Sequence, residues 1–181
     1  MKPLYITLLV IVSLACSKKQ DNSMSPNDLP VALPADTAHL QAVRSTSQSM
    51  YTVFVTKRLA ATKDFYTQWF GFQPVFESTW FVVLQMPGNA NNLIAFIDEV
   101  HPSTPPSPRA FSGEGAFLTI DVADADMLFK TFEEAKAPFA YRLKTEAWGQ
   151  KRFALLDPNG IWVDVVQQIE PEQGWWDKYL K

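Results

Sequence analysis

The spacing of apolar residues changes several times along residues 48–169, and each change delimits a predicted strand or helix. Apolar residues four positions apart predict one helix over Ala60–Phe70, which Gly71 ends. A second helix is predicted to start at its cap Asp124 and to run to Lys136. Runs rich in aromatic and β-branched residues predict strands at Met50–Thr56, Trp80–Met86, Asn92–Ile97, Ala116–Val122, Lys151–Leu156 and Ile161–Val166.

The last two predicted strands are joined by the tetrad Asp157-Pro158-Asn159-Gly160. Asp at the first position, Pro at the second and Gly at the fourth fit a type I β-turn, which predicts an antiparallel hairpin. Closed in this way, the hairpin places Phe153 opposite Asp164 and Lys151 diagonal to it. A carboxylate then stands on an otherwise apolar face, where it pairs with Lys151, contacts a ligand, or does both.

An internal repeat becomes visible when the chain is shifted by 67 residues. Phe65 then falls on Phe132, and Phe72 falls on Phe139. Both copies read as a strand, a helix and further strands. We therefore predict one α+β domain over residues 48–169, built from two tandem modules that the proline-rich segment His101–Arg109 connects.

The turn tetrad, the repeat and the helix end FYTQWFGFQP, which begins at Phe65, resemble the vicinal oxygen chelate superfamily of glyoxalases, bleomycin-resistance proteins and extradiol dioxygenases. The resemblance implies two βαβββ modules that form a cupped mixed sheet with the helices outside. It also implies four metal-ligand positions, which the repeat places at Met50, Ile97, Phe117 and Asp164. Only Asp164 has a side chain that a divalent metal accepts, so we predict no metal and no other cofactor.

Strand alternation from these positions predicts an apolar, aromatic cavity with few polar anchors. The predicted ligand contacts are Met50, Phe54, Trp80, Leu84, Phe117, Trp148, Lys151, Phe153, Trp162 and Asp164. Such a wall suits a small apolar or aromatic molecule, although the same face can be plugged by its own side chains or by a second copy of the chain. His101, the only histidine of the domain, has no neighbouring ligand in the sequence and is predicted to be solvated.

The N-terminal segment is predicted to export and anchor the domain. Residues 1–15 carry one early charge and then an apolar run too short to cross a bilayer, which is typical of a signal peptide. Ser13-Leu14-Ala15-Cys16 resembles the bacterial lipobox, and the resemblance implies a lipid on Cys16, the only cysteine of the chain. An ordinary cleavage site that leaves a free thiol is the alternative. The same resemblance implies that Ser17, where an inner-membrane lipoprotein has Asp, directs the protein to the outer membrane of a bacterial cell envelope, facing the periplasm or the cell surface.

Two further segments flank the domain. Residues 16–47 are polar and interrupted by prolines, so they are predicted to form a flexible tether. Residues 170–181 place Trp175, Trp176, Tyr179 and Leu180 on one side of a short predicted C-terminal helix.

Charge and composition reduce the number of function classes that fit the sequence. A net charge of -3 gives no basic surface for nucleic acid. The domain also lacks a readable nucleophile and base, which favours a non-enzymatic function without deciding the question. We predict a lipid-anchored protein that binds a small apolar or aromatic molecule without metal. A metal-dependent lyase, isomerase or dioxygenase of glyoxalase type and a dimerisation or partner-docking module are the alternatives, and a homodimer stays open under each of them.

Overall fold

A computed structural model describes residues 38–102 and 109–180, and the chain divides into two compact units, Met1–Ser47 and Gln48–Lys181. The described part of the first unit contains α1 (Ala38–Thr46), so the end of the predicted flexible tether is helical. The predicted signal peptide and Cys16 lie outside the described residues. No helix within the described ranges has the length and the apolar character needed to cross a membrane.

The second unit contains the same succession of elements twice. The first module consists of β1 (Thr52–Thr56), α2 (Leu59–Phe70), β2 (Gln73–Glu77), β3 (Phe81–Gln85) and β4 (Leu93–Asp98). The second module consists of β5 (Phe117–Asp121), α3 (Ala125–Glu134), β6 (Phe139–Glu146), β7 (Gln150–Leu156) and β8 (Trp162–Gln168). Each module forms one four-stranded mixed sheet, in the orders β1-β4-β3-β2 and β5-β8-β7-β6. The predicted α+β fold of two tandem βαβββ modules is confirmed.

The two long helices begin and end close to the predicted residues. Gly71 ends α2 in the left-handed conformation, at φ 68°, and its backbone N–H bonds to the Tyr66 carbonyl oxygen. At the start of α3 the Asp124 carboxylate accepts a 2.8 Å hydrogen bond from the backbone N–H of Met127, which is the predicted cap. α3 ends at Glu134, just short of the predicted Lys136.

The β7–β8 hairpin closes one residue later than the type I turn predicted. The Asp157 carboxylate accepts backbone N–H bonds from Asn159 and Ile161, both 2.8 Å long, and the Asp157 N–H donates to the Ile161 carbonyl oxygen. Asp157 and Ile161 therefore form the closing pair, and Ala154 faces Asp164. The predicted pairing of Phe153 with Asp164 is wrong, and a shift of one residue moves every β7 side chain to the opposite face.

Two hydrophobic clusters form the core between the sheets and the helices, and three predicted cavity residues belong to them. Phe54 and Leu84, with 7% and 0% of their surface exposed, pack with Ile161 and Val163 of the second sheet. Phe153 is 0% exposed and packs against Phe132 of α3. The predictions that these three side chains line a ligand cavity are therefore wrong, because all three are buried within the core clusters.

A polar network joins the hairpin turn of the second module to the first module. Asn159 accepts a 2.5 Å hydrogen bond from Thr56 and donates 3.0 Å and 3.1 Å bonds to Thr62 and Asp157. The Tyr66 hydroxyl donates to Asp157 at 3.3 Å. Burial and then the nearby Asp157 carboxylate raise the pKa of Tyr66, so the phenol stays neutral and remains a donor.

The C-terminal segment forms hydrogen-bonded turns over Gln173–Tyr179 where a short helix was predicted. Gly174 has a φ of 74°, which interrupts a right-handed helix. The segment nevertheless packs on the domain, since the Trp175 ring lies 5.8 Å from the Trp148 ring and the Trp176 indole N–H donates to the Trp148 carbonyl oxygen at 3.0 Å. Trp148, which was predicted to contact a ligand, instead contacts this segment.

Candidate functional site

The side of the second sheet that faces away from α3 brings together charged and aromatic side chains, and we call it the outer face. Asp164 of β8 is aligned with Thr119 of β5 and with Ala154 of β7. Because side chains alternate along strands, Phe117 and Trp162 lie on the same face as Asp164. Phe153, one residue from Ala154, lies on the core side.

Arg152 and Asp164 form a two-point ion pair on the outer face. The Arg152 Nη2 atom lies 2.9 Å from Asp164 Oδ2, and the Arg152 Nε–H donates to Oδ1 at 3.1 Å. The Asp164 side chain is 3% exposed and that of Arg152 is 22% exposed. The carboxylate is therefore buried and satisfied beneath a guanidinium that still reaches the surface.

Opposing effects act on the buried Asp164 carboxylate. Burial raises its pKa above the usual value, and the charge of Glu146 adds to this. The Arg152 charge and the hydrogen bonds from Trp162 and Arg152 lower the pKa, but burial is the larger effect. The predicted ion pair of Asp164 with Lys151 is wrong, because Lys151 lies on the helix side, with its Nζ 2.5 Å from Asp126 Oδ2 of α3.

Side chains of β6, the strand next to β7, lie close to the Arg152–Asp164 ion pair. The Tyr141 hydroxyl donates a 2.5 Å hydrogen bond to Glu146, whose other carboxylate oxygen lies 3.4 Å from the Lys144 Nζ. The Tyr141 ring lies 6.0 Å from the Arg152 Cζ and 5.9 Å from the Trp162 ring. Arg152 is thus held between a carboxylate and an aromatic ring, which is the surrounding that a planar guanidinium accepts best.

A groove of about 490 Å³ opens beside this pair. It is lined by Gly115, Ala116, Phe117, Arg152 and Trp162. The Phe117 side chain is 64% exposed, although it is large and apolar. The volume lies within the range of small-molecule sites, and two aromatic side chains with one charged group match their usual chemistry.

The remaining predicted ligand residues lie elsewhere. Met50 precedes β1 with 92% of its surface exposed, and it borders a separate cleft of about 340 Å³ that also reaches Tyr66 and Phe72. Trp80 is half-buried before β3, with its ring 5.9 Å from that of Phe81. Of the ten predicted ligand contacts, only Phe117 and Trp162 line the groove, and Asp164 lies directly behind Arg152.

Arg152 and Tyr141 are the site residues that the sequence analysis missed. The one-residue error in the hairpin assigned Arg152 to the opposite face. The signal that would have corrected it is Asp157, because an Asp side chain readily accepts backbone N–H groups two residues further along and so lengthens the turn.

Among the described residues, the side chains at the positions where the superfamily resemblance implies metal ligands do not fit a divalent metal. Nowhere in residues 38–102 and 109–180 do three His, Cys, Asp or Glu side chains come close enough together to hold one. Asp164 is bound to Arg152, while Ile97 is apolar and 5% exposed. His101 is half-buried and not solvated as predicted, since both ring nitrogens are buried and lack a hydrogen-bond partner in the described parts of the chain.

The sequence profile of the glyoxalase/bleomycin resistance protein/dioxygenase superfamily matches residues 49–165, which is more than half of the chain. The chain belongs to this superfamily. Comparison with curated proteins finds no match for this superfamily member.

Solved structures with the same fold are numerous. A lactoylglutathione lyase from Agrobacterium tumefaciens is 20% identical, with 67% of this chain and 93% of that chain covered and a TM-score of 0.54. A virulence protein from Salmonella typhimurium is 17% identical, with 68% and 98% covered and a TM-score of 0.55. A superfamily member from Sphaerobacter thermophilus is 21% identical, with 68% and 99% covered and a TM-score of 0.53. At these identities the likeness shows the superfamily fold alone.

Proposed function

We propose that this superfamily member binds a small apolar or aromatic molecule in the groove on the outer face of its second sheet, and that it does so without a metal. The observation that carries the proposal is the groove itself, which the indole of Trp162, the largely exposed ring of Phe117 and Arg152 line together. Large aromatic side chains that remain exposed beside a concave surface are typical of ligand sites.

The side chains at the four implied ligand positions support metal-free binding over the function of a metal-dependent lyase, isomerase or dioxygenase. A catalytic metal takes about three protein ligands of carboxylate or imidazole type. At the corresponding positions this chain has Met50, Ile97 and Phe117, and its one carboxylate, Asp164, is bound at two points by Arg152. Metal content tests this directly, because stoichiometric Zn, Mn, Fe or Ni on the desalted full chain would favour the metal-dependent alternative.

Binding is tested with the neutral compound 2-naphthalenemethanol and the full chain by isothermal titration calorimetry. Replacing Phe117 by Ala removes one aromatic surface of the groove, and we expect affinity to fall about fivefold, equivalent to ~1 kcal/mol. The matched control is Phe76→Ala, because Phe76 is 53% exposed on β2 of the other sheet and should leave affinity unchanged. Absence of binding to the unmodified chain, or an equal effect of both substitutions, would contradict the proposal.

A second candidate function is self-association, and exposed apolar side chains favour it. Val75, Phe76, Phe117 and Leu156 have 52%, 53%, 64% and 48% of their surface exposed. Exposed apolar residues on sheet faces are commonly covered by a partner. Sedimentation velocity over a hundredfold range of concentration tests this, and a dimer lost in Phe117→Ala would assign the groove to subunit contact.

We also propose that a lipid on Cys16 holds the protein in a bacterial cell envelope, at the outer membrane. Support comes from the apolar run that ends in Ser13-Leu14-Ala15-Cys16 and from the absence of any other cysteine. Labelling with radioactive palmitate in an expressing bacterium should mark the wild-type chain and not Cys16→Ser. Equal labelling of the two chains, or recovery of the wild type free of membranes, would contradict the anchor.

A further inference from the structure

We propose that the molecule bound in the groove is an aromatic acid, a flat apolar ring that carries a carboxylate, and that Arg152 recognises the carboxylate. This inference rests on the proposed binding function and narrows it to one chemical class. It follows from which N–H groups of Arg152 are used, which charged groups reach the groove, and how firmly Arg152 is held.

The ion pair with Asp164 uses only one edge of the Arg152 guanidinium. A guanidinium has five N–H donors, and the contacts at Nε and Nη2 account for one N–H on each nitrogen. The second N–H of Nη2 and both N–H groups of Nη1 have no acceptor within residues 38–102 and 109–180. Two of these three N–H groups, one on Nη1 and one on Nη2, point away from Cζ in parallel and match the two oxygens of a second carboxylate.

The charges that reach the groove favour an anion over a cation. Arg152 is the one charged residue among those that line it, at least in the described part of the chain. Asp164 and Glu146 are 2% and 8% exposed and do not line the groove. A cationic ligand would therefore meet the guanidinium before either carboxylate, whereas an anionic ligand would meet its complement.

Arg152 is held in place before any ligand arrives. Asp164 binds the edge of the Arg152 guanidinium that Nε and Nη2 form, and the Tyr141 ring lies 6.0 Å from the Arg152 Cζ atom. A long side chain that is already ordered loses less conformational entropy when it binds. The buried Asp164 is thus a positioning residue, and Arg152 is the contact residue.

The aromatic part of the ligand follows from the rest of the lining. Phe117 of β5 is paired with Trp162 of β8, so the two side chains are neighbours. Both line the groove together with Arg152. At Gly115 the backbone has no neighbour within 4 Å of the position where a Cβ would stand, so the adjacent wall is open. A flat ring can lie against these surfaces while its carboxylate faces the Nη1–Nη2 edge of Arg152.

Three naphthalene compounds test the assignment on the full chain by calorimetry at neutral pH. They are 2-naphthoate, 2-naphthalenemethanol and 2-naphthylmethylamine, which share the ring and differ in charge. We expect the naphthoate to bind about tenfold more tightly than the alcohol, equivalent to ~1.4 kcal/mol for a charge-assisted pair of hydrogen bonds. We expect the amine to bind more weakly than the alcohol.

Variants of Arg152 decide whether the preference comes from this residue. Arg152→Gln should abolish the preference for naphthoate while the alcohol still binds, and Arg152→Lys should keep only part of it because the fork is lost. The control is Arg142→Gln, since Arg142 pairs with Glu133 and is 66% exposed away from the groove. If Arg152 variants fail to fold, ¹⁵N-labelled wild-type chain still tests the contact, because the Arg152 Nη–H signals should shift more with naphthoate than with the alcohol.

The outcomes separate this inference from the function on which it rests. If no naphthalene compound binds the wild-type chain, the binding function itself fails. If the alcohol binds and the naphthoate binds no better, the function stands and the aromatic-acid assignment is overturned. A naphthoate preference that survives in Arg152→Gln would equally overturn the role of Arg152.

Discussion

Replacing Asn159 by Ala should weaken the polar network that joins the two modules. Its side chain joins β1, α2 and the turn at once, through Thr56, Thr62 and Asp157. All three partners are buried, at 0%, 0% and 4% exposure. The substitution removes every one of these contacts and supplies nothing in their place.

The expected loss can be built up from the contacts. Three side-chain hydrogen bonds disappear, each with a net contribution of about 1 kcal/mol. The partners are not fully orphaned, because Thr56 still accepts from the Arg58 N–H, Thr62 still donates to the Arg58 carbonyl, and Asp157 keeps its bond from Tyr66. Asn159 is also only half-buried, so water can replace part of what is lost. We expect the free energy of unfolding to fall by about 2 kcal/mol.

Urea unfolding of the full chain, followed by tryptophan fluorescence, measures this loss. A fall of about 2 kcal/mol lowers the midpoint by roughly 1 M at a typical slope for this size. The control is Asn91→Ala, because Asn91 is exposed in the β3–β4 turn and its side chain makes none of the observed hydrogen bonds in the described residues. A loss below about 0.5 kcal/mol, or one equal to the control, would refute the view that this network holds the modules together.

Two further changes test other parts of the structure. Gly149→Ala should lower the free energy of unfolding by more than about 2 kcal/mol, because φ is 100° and the new Cβ would lie 2.7 Å from the Ile169 carbonyl oxygen. The control Gly88→Ala, at φ 77° with open space around the new Cβ, should lower it by only about 1 kcal/mol. Equal losses in urea titrations would contradict the clash at Gly149. Because burial raises the pKa of folded Asp164, the folded chain binds more protons than the unfolded chain between the two pKa values, and the contribution of Asp164 to stability falls as pH rises through that window. The unfolding free energy of the wild type minus that of Asp164→Asn should therefore decrease in urea titrations as pH rises above the ordinary pKa of an aspartate, and an increase would mean that attraction to Arg152 outweighs burial.

The candidate site was predictable in part. Alternation along β5 and β8 placed Phe117, Trp162 and Asp164 on one face, because the period of a strand is a local property. The partner of Asp164 was not predictable in the same way. Choosing between Lys151 and Arg152 required the hairpin register, and that register depends on whether the Asp157 side chain draws Ile161 into the turn.

The sequence alone determined the presence of two modules, six of their eight strands, the end of α2 at Gly71 and the start of α3 at Asp124, because short-range spacing, caps and a repeat encode them. The strands β2 and β6 were not located from the sequence. Only the tertiary structure decided that Phe54, Leu84 and Phe153 face the core, and that Trp148 lies against the C-terminal segment. Those outcomes depend on contacts between residues far apart in the chain. A strand carries side chains on both faces, and the packing of the two modules selects which face is buried.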